Sequence, residues 1–165
     1  MSETIERYRR WYEYEQEMHA KTLASLETVP VERRVDAGYQ DALDVLAHVA
    51  AARHLWLHRF GAVPGGPATI FPKGASPAGV AAMLEDVQAS WRGYLGGLDA
   101  AEVARTFDYA ALDGKRWRSR IEDVLTQLFG HSIYHRGQIA ALVRALGGSP
   151  AVTDFVYWSR EALED

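Results

Sequence analysis

Two histidines four residues apart, His131 and His135, interrupt an otherwise apolar helical seam. On either side of them Ile121, Val124, Leu125 and Leu128, then Ile139, Leu142, Val143 and Leu146, recur at the spacing of a helix with one face in a core. The seam runs straight through 131 and 135, so two imidazoles stand where core side chains are expected, one turn apart on the same face. A buried imidazole needs partners for both ring nitrogens, and a divalent cation shared between neutral histidines is one way to provide them. The same spacing also arises when one histidine bonds a carboxylate and the other is half exposed. A third ligand would separate the two readings.

The 165 residues suit one domain, 1–165, and the balance of 48% hydrophobic to 24% charged residues is that of a soluble globular chain able to bury a sizeable core. There is no cysteine. This removes disulfides, thiolate zinc sites and a cysteine nucleophile, leaving His, Asp and Glu as metal ligands, and it suits a reducing cytoplasm. The charged start, Met1 to Arg7, lacks the apolar run of a signal peptide, and no stretch reaches membrane-spanning length. A cytoplasmic protein without a membrane partner is expected. The net charge of -4 gives no basic footprint for nucleic acid, and the short cluster Lys115, Arg116, Arg118 and Arg120 reads as a solvated hairpin edge.

Four long helices are expected. The first spans about Thr4 to Leu26, with Ile5, Tyr8, Tyr12, Leu23 and Leu26 on one stripe. Glu15 and His19 fall on that stripe too; they point inward, or with a slight rotation lie on the surface, the placement favoured for these residue types. Asp41 is the expected N-cap of a second helix reaching about Phe60. It carries His48, His54 and His58, and at roughly 100° per residue the 54/58 pair lies about 80 to 120° round the helix from His48. One ion meets either His48 or that pair. His48 lies among Ala and Val, whereas His54 and His58 sit beside Arg53 and Arg59 near the helix end, where the helix dipole explains them. His48 is therefore the expected third ligand. Residues 61–75 form one long Gly- and Pro-rich connection, a crossover at a bundle end or a lid over a site. Ser76-Pro77 opens a third helix with the stripe Val80, Met83, Leu84, Val87, Trp91, Tyr94, Leu95 and Leu98. Asp113-Gly114 marks a small β-hairpin. Ser119 to Glu122 matches a capping box for the fourth helix, which Gly147-Gly148 ends. The tail from Pro150 is apolar enough to pack back on the bundle. The fold class is thus all-α: a four-helix bundle with one long crossover loop and a small β-hairpin before the last long helix.

His48 within Leu46-Ala47-His48, the Leu112-Asp113-Gly114 turn, the run His131-Ser132-Ile133-Tyr134-His135-Arg136-Gly137-Gln138 and the Thr153-Asp154-Phe155 tail occur in the order found in the DinB/YfiT-like family of metal-dependent four-helix-bundle proteins. The chain resembles that family over nearly its whole length. The resemblance implies a metal site of His48, His131 and His135, and low-molecular-weight bacterial thiols as cosubstrates, since relatives include thiol-dependent transferases and isomerases. Gly130 and Gln127 depart from the asparagine and histidine common at those positions, and His19 stands near a common asparagine.

Three neutral histidines leave an open position on Zn²⁺ or Ni²⁺, where water or a thiol is acidified. The glutamate that follows the first histidine of a zincin is replaced by Ser132, which argues against a protease of that type. Thiol S-transfer to a small molecule is the expected reaction; a metal-dependent hydrolase and a non-catalytic structural or regulatory metal bundle are the alternatives. Glu15, His19 and Tyr134 are secondary candidates for the site. Arg136 and Gln138 either orient neighbouring groups or face solvent. Gly137 costs about 1 kcal/mol relative to alanine in mid-helix, so close approach of another helix or of the tail is expected there. Exposed aromatic residues, Trp91 and Trp158 among them, point to a homodimer.

Overall fold

The computed structural model describes residues 3–163. In chain order they form α1 (Glu3–Glu27), a 3-10 turn (Val31–Arg33), α2 (Ala37–Phe60), α3 (Pro77–Gly96), α4 (Ala100–Ala104), β1 (Thr106–Ala110), β2 (Arg116–Arg120), α5 (Ile121–Ala145) and α6 (Phe155–Ser159). The four long helices make the bundle. α2 packs against α5 and α3, and α1 against the same two, while α1 and α2 scarcely meet. Consecutive helices α1 and α2 are therefore diagonal partners. No helix among the described residues is long and apolar enough to cross a membrane.

Each apolar stripe read from the sequence is buried. Leu46 and Leu57 on α2, Val80, Leu84, Val87 and Trp91 on α3, and Ile121, Ile139 and Val143 on α5 share one core with Ile5, Tyr8 and Leu26 of α1. Trp91 is at its centre, only 1% exposed, with its indole N–H donating to the Arg53 carbonyl at 3.2 Å. It cannot serve as an exposed aromatic for dimerisation.

Helix starts differ from expectation at two places. α2 begins at Ala37, with Asp36 as its N-cap, and Asp41 lies a turn inside it. Asp36 is placed by an ion pair to Arg33 at 2.7 Å and by accepting the Tyr39 N–H through its carbonyl at 3.0 Å. The capping box at Ser119 does not form. Ser119 pairs with Phe107 in the antiparallel ladder, so its backbone is extended, and α5 starts only at Ile121. The Ile121 N–H donates instead to the Arg105 carbonyl at 3.0 Å. Ser76 caps α3 as expected, accepting from the Gly79 N–H at 3.1 Å. The hairpin closes through residues 111–115, with Gly114 at φ 80°. Its basic residues are solvated, and Arg118 pairs with Asp108 at 2.6 Å.

The end of α5 is a Schellman motif. Gly147 adopts φ 82° and donates to the Arg144 carbonyl, while the Gly148 N–H reaches the Val143 carbonyl at 2.9 Å. The tail packs back as expected: the Tyr14 hydroxyl donates to the Thr153 carbonyl, and the Trp158 indole N–H to Glu17 at 2.8 Å. Gly137 departs from expectation, because a Cβ there would meet nothing within 4 Å. At Gly148 a Cβ would lie 2.9 Å from side-chain atoms of both Val143 and Val29. Two glycine-to-alanine substitutions should thus have opposite signs. Gly148→Ala is expected to destabilise by about 1–3 kcal/mol through overpacking, and Gly137→Ala to stabilise by about 0.5–1 kcal/mol. Urea unfolding midpoints check both, and a stabilised Gly148→Ala would contradict the packing described.

Candidate metal centre

His48 on α2 and His131 and His135 on α5 face one another across the groove between those helices. His131 Nε2 is 3.2 Å from His48 Nε2 and 3.0 Å from His135 Nε2. Two of the three tautomers follow from the partners of the other ring nitrogen. His48 Nδ1–H donates to the Ile70 carbonyl at 2.6 Å, and His135 Nδ1–H to Gln138 Oε1 at 2.7 Å. Both Nε2 atoms therefore present lone pairs. His131 can supply at most one Nε2 proton between them, so the triad cannot satisfy itself as neutral imidazole. A cation can accept all three. Tetrahedral zinc with bonds of about 2.0–2.1 Å would set neighbouring donors about 3.3 Å apart, close to the spacing seen. His48, His131 and His135 fit a divalent metal and are the only group of this kind among the described residues.

The surroundings favour the neutral form of the two α5 imidazoles. The His131 pKa is pushed down to about 4, first by burial and then by His135, His48 and Arg53. His135 is also lowered, burial again being the largest cause. Phe71, from the long connection, stacks on His48 with ring centroids 4.9 Å apart. The connection is thus a wall of the site: Ile70 fixes the His48 tautomer and Phe71 covers the ring. Orienting metal-binding histidines through the second ring nitrogen is the usual device. Gln138 performs it for His135, while its amide also donates to the Tyr134 hydroxyl at 3.2 Å.

Behind the triad lies a buried polar layer. Glu15 and His19 are 3% and 2% exposed, so the surface placement favoured from sequence is wrong: helix α1 turns both inward. Glu15 forms a buried ion pair with Arg53, which also donates to Ser132 Oγ at 3.1 Å. Arg136 is buried as well, donating to the Tyr14 hydroxyl at 2.8 Å. Glu15 and His19 therefore stand in the bundle interior, and neither bonds to the triad. Burial, Arg53 and Arg136 together drive the His19 pKa well below its usual value. Tyr134 is 64% exposed, with its ring edge-on to His135 at 5.1 Å, at the rim and outside the triad. His54 lines a separate hollow of about 170 Å³ with Met83, Asp86 and Ser90, and His58 is exposed. Sequence reasoning did not find Ile70, Phe71 or the Glu15–Arg53 pair; an arginine four residues after Val49 on an apolar stripe was the available signal for the last.

The triad opens on two clefts. The larger, about 510 Å³, is lined by His48 and His131 with Trp56, Arg59, Tyr109 and Trp117. The smaller, about 280 Å³, is lined by His48 and His135 with Asp41, Asp44, Phe71 and Lys73. His48 belongs to both.

Fold and site together define a helical-bundle protein with a three-histidine cluster that fits a divalent cation and is open to solvent on two sides. The chain belongs to the DinB family, whose model matches residues 1–164. Among solved structures it is similar to a DinB-like protein from Bacillus cereus, with 21% identity and a TM-score of 0.69, covering 92% of this chain and 99% of that one. It is also similar to YfiT from Bacillus subtilis, described as a probable metal-dependent hydrolase with an unusual four-helix bundle topology: 23% identity, TM-score 0.64, covering 90% and 91% of the two chains. No curated protein matches the sequence at a significant level.

Histidines whose folded pKa lies below the unfolded value near 6.5 bind fewer protons in the folded state, so acid favours unfolding. For His131 the window runs from about 6.5 down to about 4, and His19 acts in the same direction. The metal-free protein is expected to lose thermal stability steadily as pH falls from 7 to 5. A Tm unchanged over that range would show that these imidazoles are freely hydrated.

Proposed function

We propose that the protein is a divalent-metal-dependent transferase that moves a low-molecular-weight thiol onto an electrophilic small molecule at His48, His131 and His135. A zinc or nickel ion there would supply Lewis acidity, lowering the proton affinity of a thiol in its open position. The chain's own part is to hold three neutral donors and to bring two reactants together, so that the thiol gives its proton to solvent and its sulfur forms the new bond to carbon as the electrophile's leaving group departs with the pair of the bond it breaks.

The observation that carries this reading is the pair of clefts meeting at His48. A transfer has two organic reactants, and each has a route to the triad. Two of the three carboxylates on the clefts, Asp44 and Asp113 but not the exposed Asp41, point the same way. Asp44 accepts from the Gly74 N–H at 2.9 Å and from Gln40 at 2.8 Å, and pairs with Lys73 at 3.4 Å; Asp113 pairs with Lys115 at 3.0 Å. These two are engaged in structure, which disfavours them as general bases for water, whereas a thiol acidified by a metal needs none. Hydrolysis is the second reading, supported by the description of YfiT.

Purified protein should hold close to one equivalent of zinc or nickel, with His48→Ala, His131→Ala and His135→Ala each folded by circular dichroism and each losing most of it. Loaded protein should consume an electrophile only when thiol is present. Turnover with water alone would favour hydrolysis, and unfolding on chelation would favour a structural ion. Metal retained in all three variants would overturn the site.

A further inference from the structure

We propose that the larger cleft binds an elongated substrate whose terminal carboxylate is held by Arg59 while its reacting end lies at the three histidines. The proposal rests on the reading of the triad as a catalytic centre and adds a substrate class to it.

Arg59 follows His48 by eleven residues on α2. Eleven residues bring a helix back to nearly the same face after about 16 Å of rise. His48, Ala52, Leu55, Trp56 and Arg59 thus form a stripe along one wall of the cleft, and all five line it. The triad is at one end of the stripe and the guanidinium at the other. Between them the wall is apolar.

The guanidinium is fixed but not neutralised. Its carbon lies 4.6 Å from the ring centroid of Trp56 and 4.6 Å from that of Tyr109, and Nη2 donates to the Ala110 carbonyl at 2.8 Å. The aromatic contacts engage its faces and one carbonyl takes a single donor. Among the described residues no carboxylate lies within ion-pair distance of Arg59, in contrast to Arg105 with Glu102 and Arg118 with Asp108. Burial disfavours a charge left without a partner, and here it presses the Arg59 pKa down. The remaining donors form a planar edge suited to a carboxylate, and stacking has already restricted the motion that such binding would otherwise have to arrest. Asp113, the acidic residue on this cleft, is matched by Lys115. A local cation awaiting an anion stands out in a chain of net charge -4.

The test uses the full chain reconstituted with cobalt(II) and a series of ω-mercaptoalkanoates, from mercaptopropionate through mercaptooctanoate to mercaptoundecanoate, each beside the mercaptoalcohol of equal length. Calorimetry reads affinity. The sulfur-to-cobalt absorption reads thiol ligation, and with no cysteine in the chain any such band comes from the added thiol. The long acids are expected to bind roughly tenfold or more tightly than the matching alcohols, the worth of a charge-assisted bidentate contact, with no such preference for mercaptopropionate. Arg59→Met should abolish the preference and Arg59→Lys should retain part of it. Equal affinity of acids and alcohols at every length in the wild-type protein overturns the proposal without recourse to a variant, as does a preference that survives in folded Arg59→Met. Absence of the sulfur band with every thiol overturns the thiol reading instead, while calorimetry still decides the role of Arg59.

Discussion

The buried ion pair between Glu15 and Arg53 sets the register on which the three-histidine cluster depends. Arg53 lies five residues after His48 on α2, and it reaches both Glu15 of α1 and Ser132 of α5, the residue next to His131. One guanidinium therefore ties three helices at the level of the triad. Removing one partner of such a pair leaves a desolvated charge and typically costs about 3–5 kcal/mol. A pair like this adds little to net stability compared with apolar packing, but it tolerates few alternative alignments. Sliding α2 against α5 by one turn would strand Arg53 and at the same time separate His48 from His131.

Rotation of α5 is fixed in a similar way. Ser132 and Arg136 each follow a histidine of the cluster by one residue, so they lie about 100° round the helix from the groove. Both are buried against the bundle interior, and Arg136 reaches Tyr14, whose hydroxyl goes on to the Thr153 carbonyl in the tail. The inward residues orient the helix, leaving His131 and His135 half-buried at the α2–α5 groove. The buried layer keeps several polar atoms without protein partners, including His131 Nδ1, His19 Nε2 and two nitrogens of Arg136. Such atoms are costly in an interior, and the layer adjoins the point where the Nε2 atoms of His48, His131 and His135 converge.

Much of this was legible in the sequence because it depends on periodicity. The apolar stripes of α2, α3 and α5 indicate the bundle, and their continuity through positions 131 and 135 indicates two of the three clustered histidines. His48 followed from its place among small apolar residues. Side-chain rotation was less legible. Residue type favours the surface over the inward alternative for Glu15 and His19, yet a single buried arginine on another helix makes an inward glutamate favourable, and no local pattern contains that pairing. The capping box failed for a comparable reason: Ser119 to Glu122 is a local signal, and the ladder partner Phe107 that overrides it is twelve residues upstream. The loop carbonyl of Ile70, which fixes the His48 tautomer, has no sequence signature, because any residue carries a carbonyl.

The bundle topology decides which parts of the chain can shape the chemistry. With α1 and α2 diagonal, α2 has α3 on one side and α5 on the other, and its remaining surface carries His48, Ala52, Leu55, Trp56 and Arg59 beside the triad. The segments that wall this surface are not bundle helices. One is the connection bearing Ile70 and Phe71, and the other is the β-hairpin with Tyr109, Asp113 and Trp117. The connection touches both clefts, while the hairpin contributes to the larger alone. The spacing of the three histidines therefore depends on helix register, which core packing holds rigidly, whereas the shape and charge of each cleft depend on segments outside the four long helices. Arg59 joins the two systems: its backbone belongs to α2, and its side chain is pinned to the hairpin at Tyr109 and Ala110. Changes in the hairpin would act on selectivity through that side chain, leaving the three-histidine centre in place.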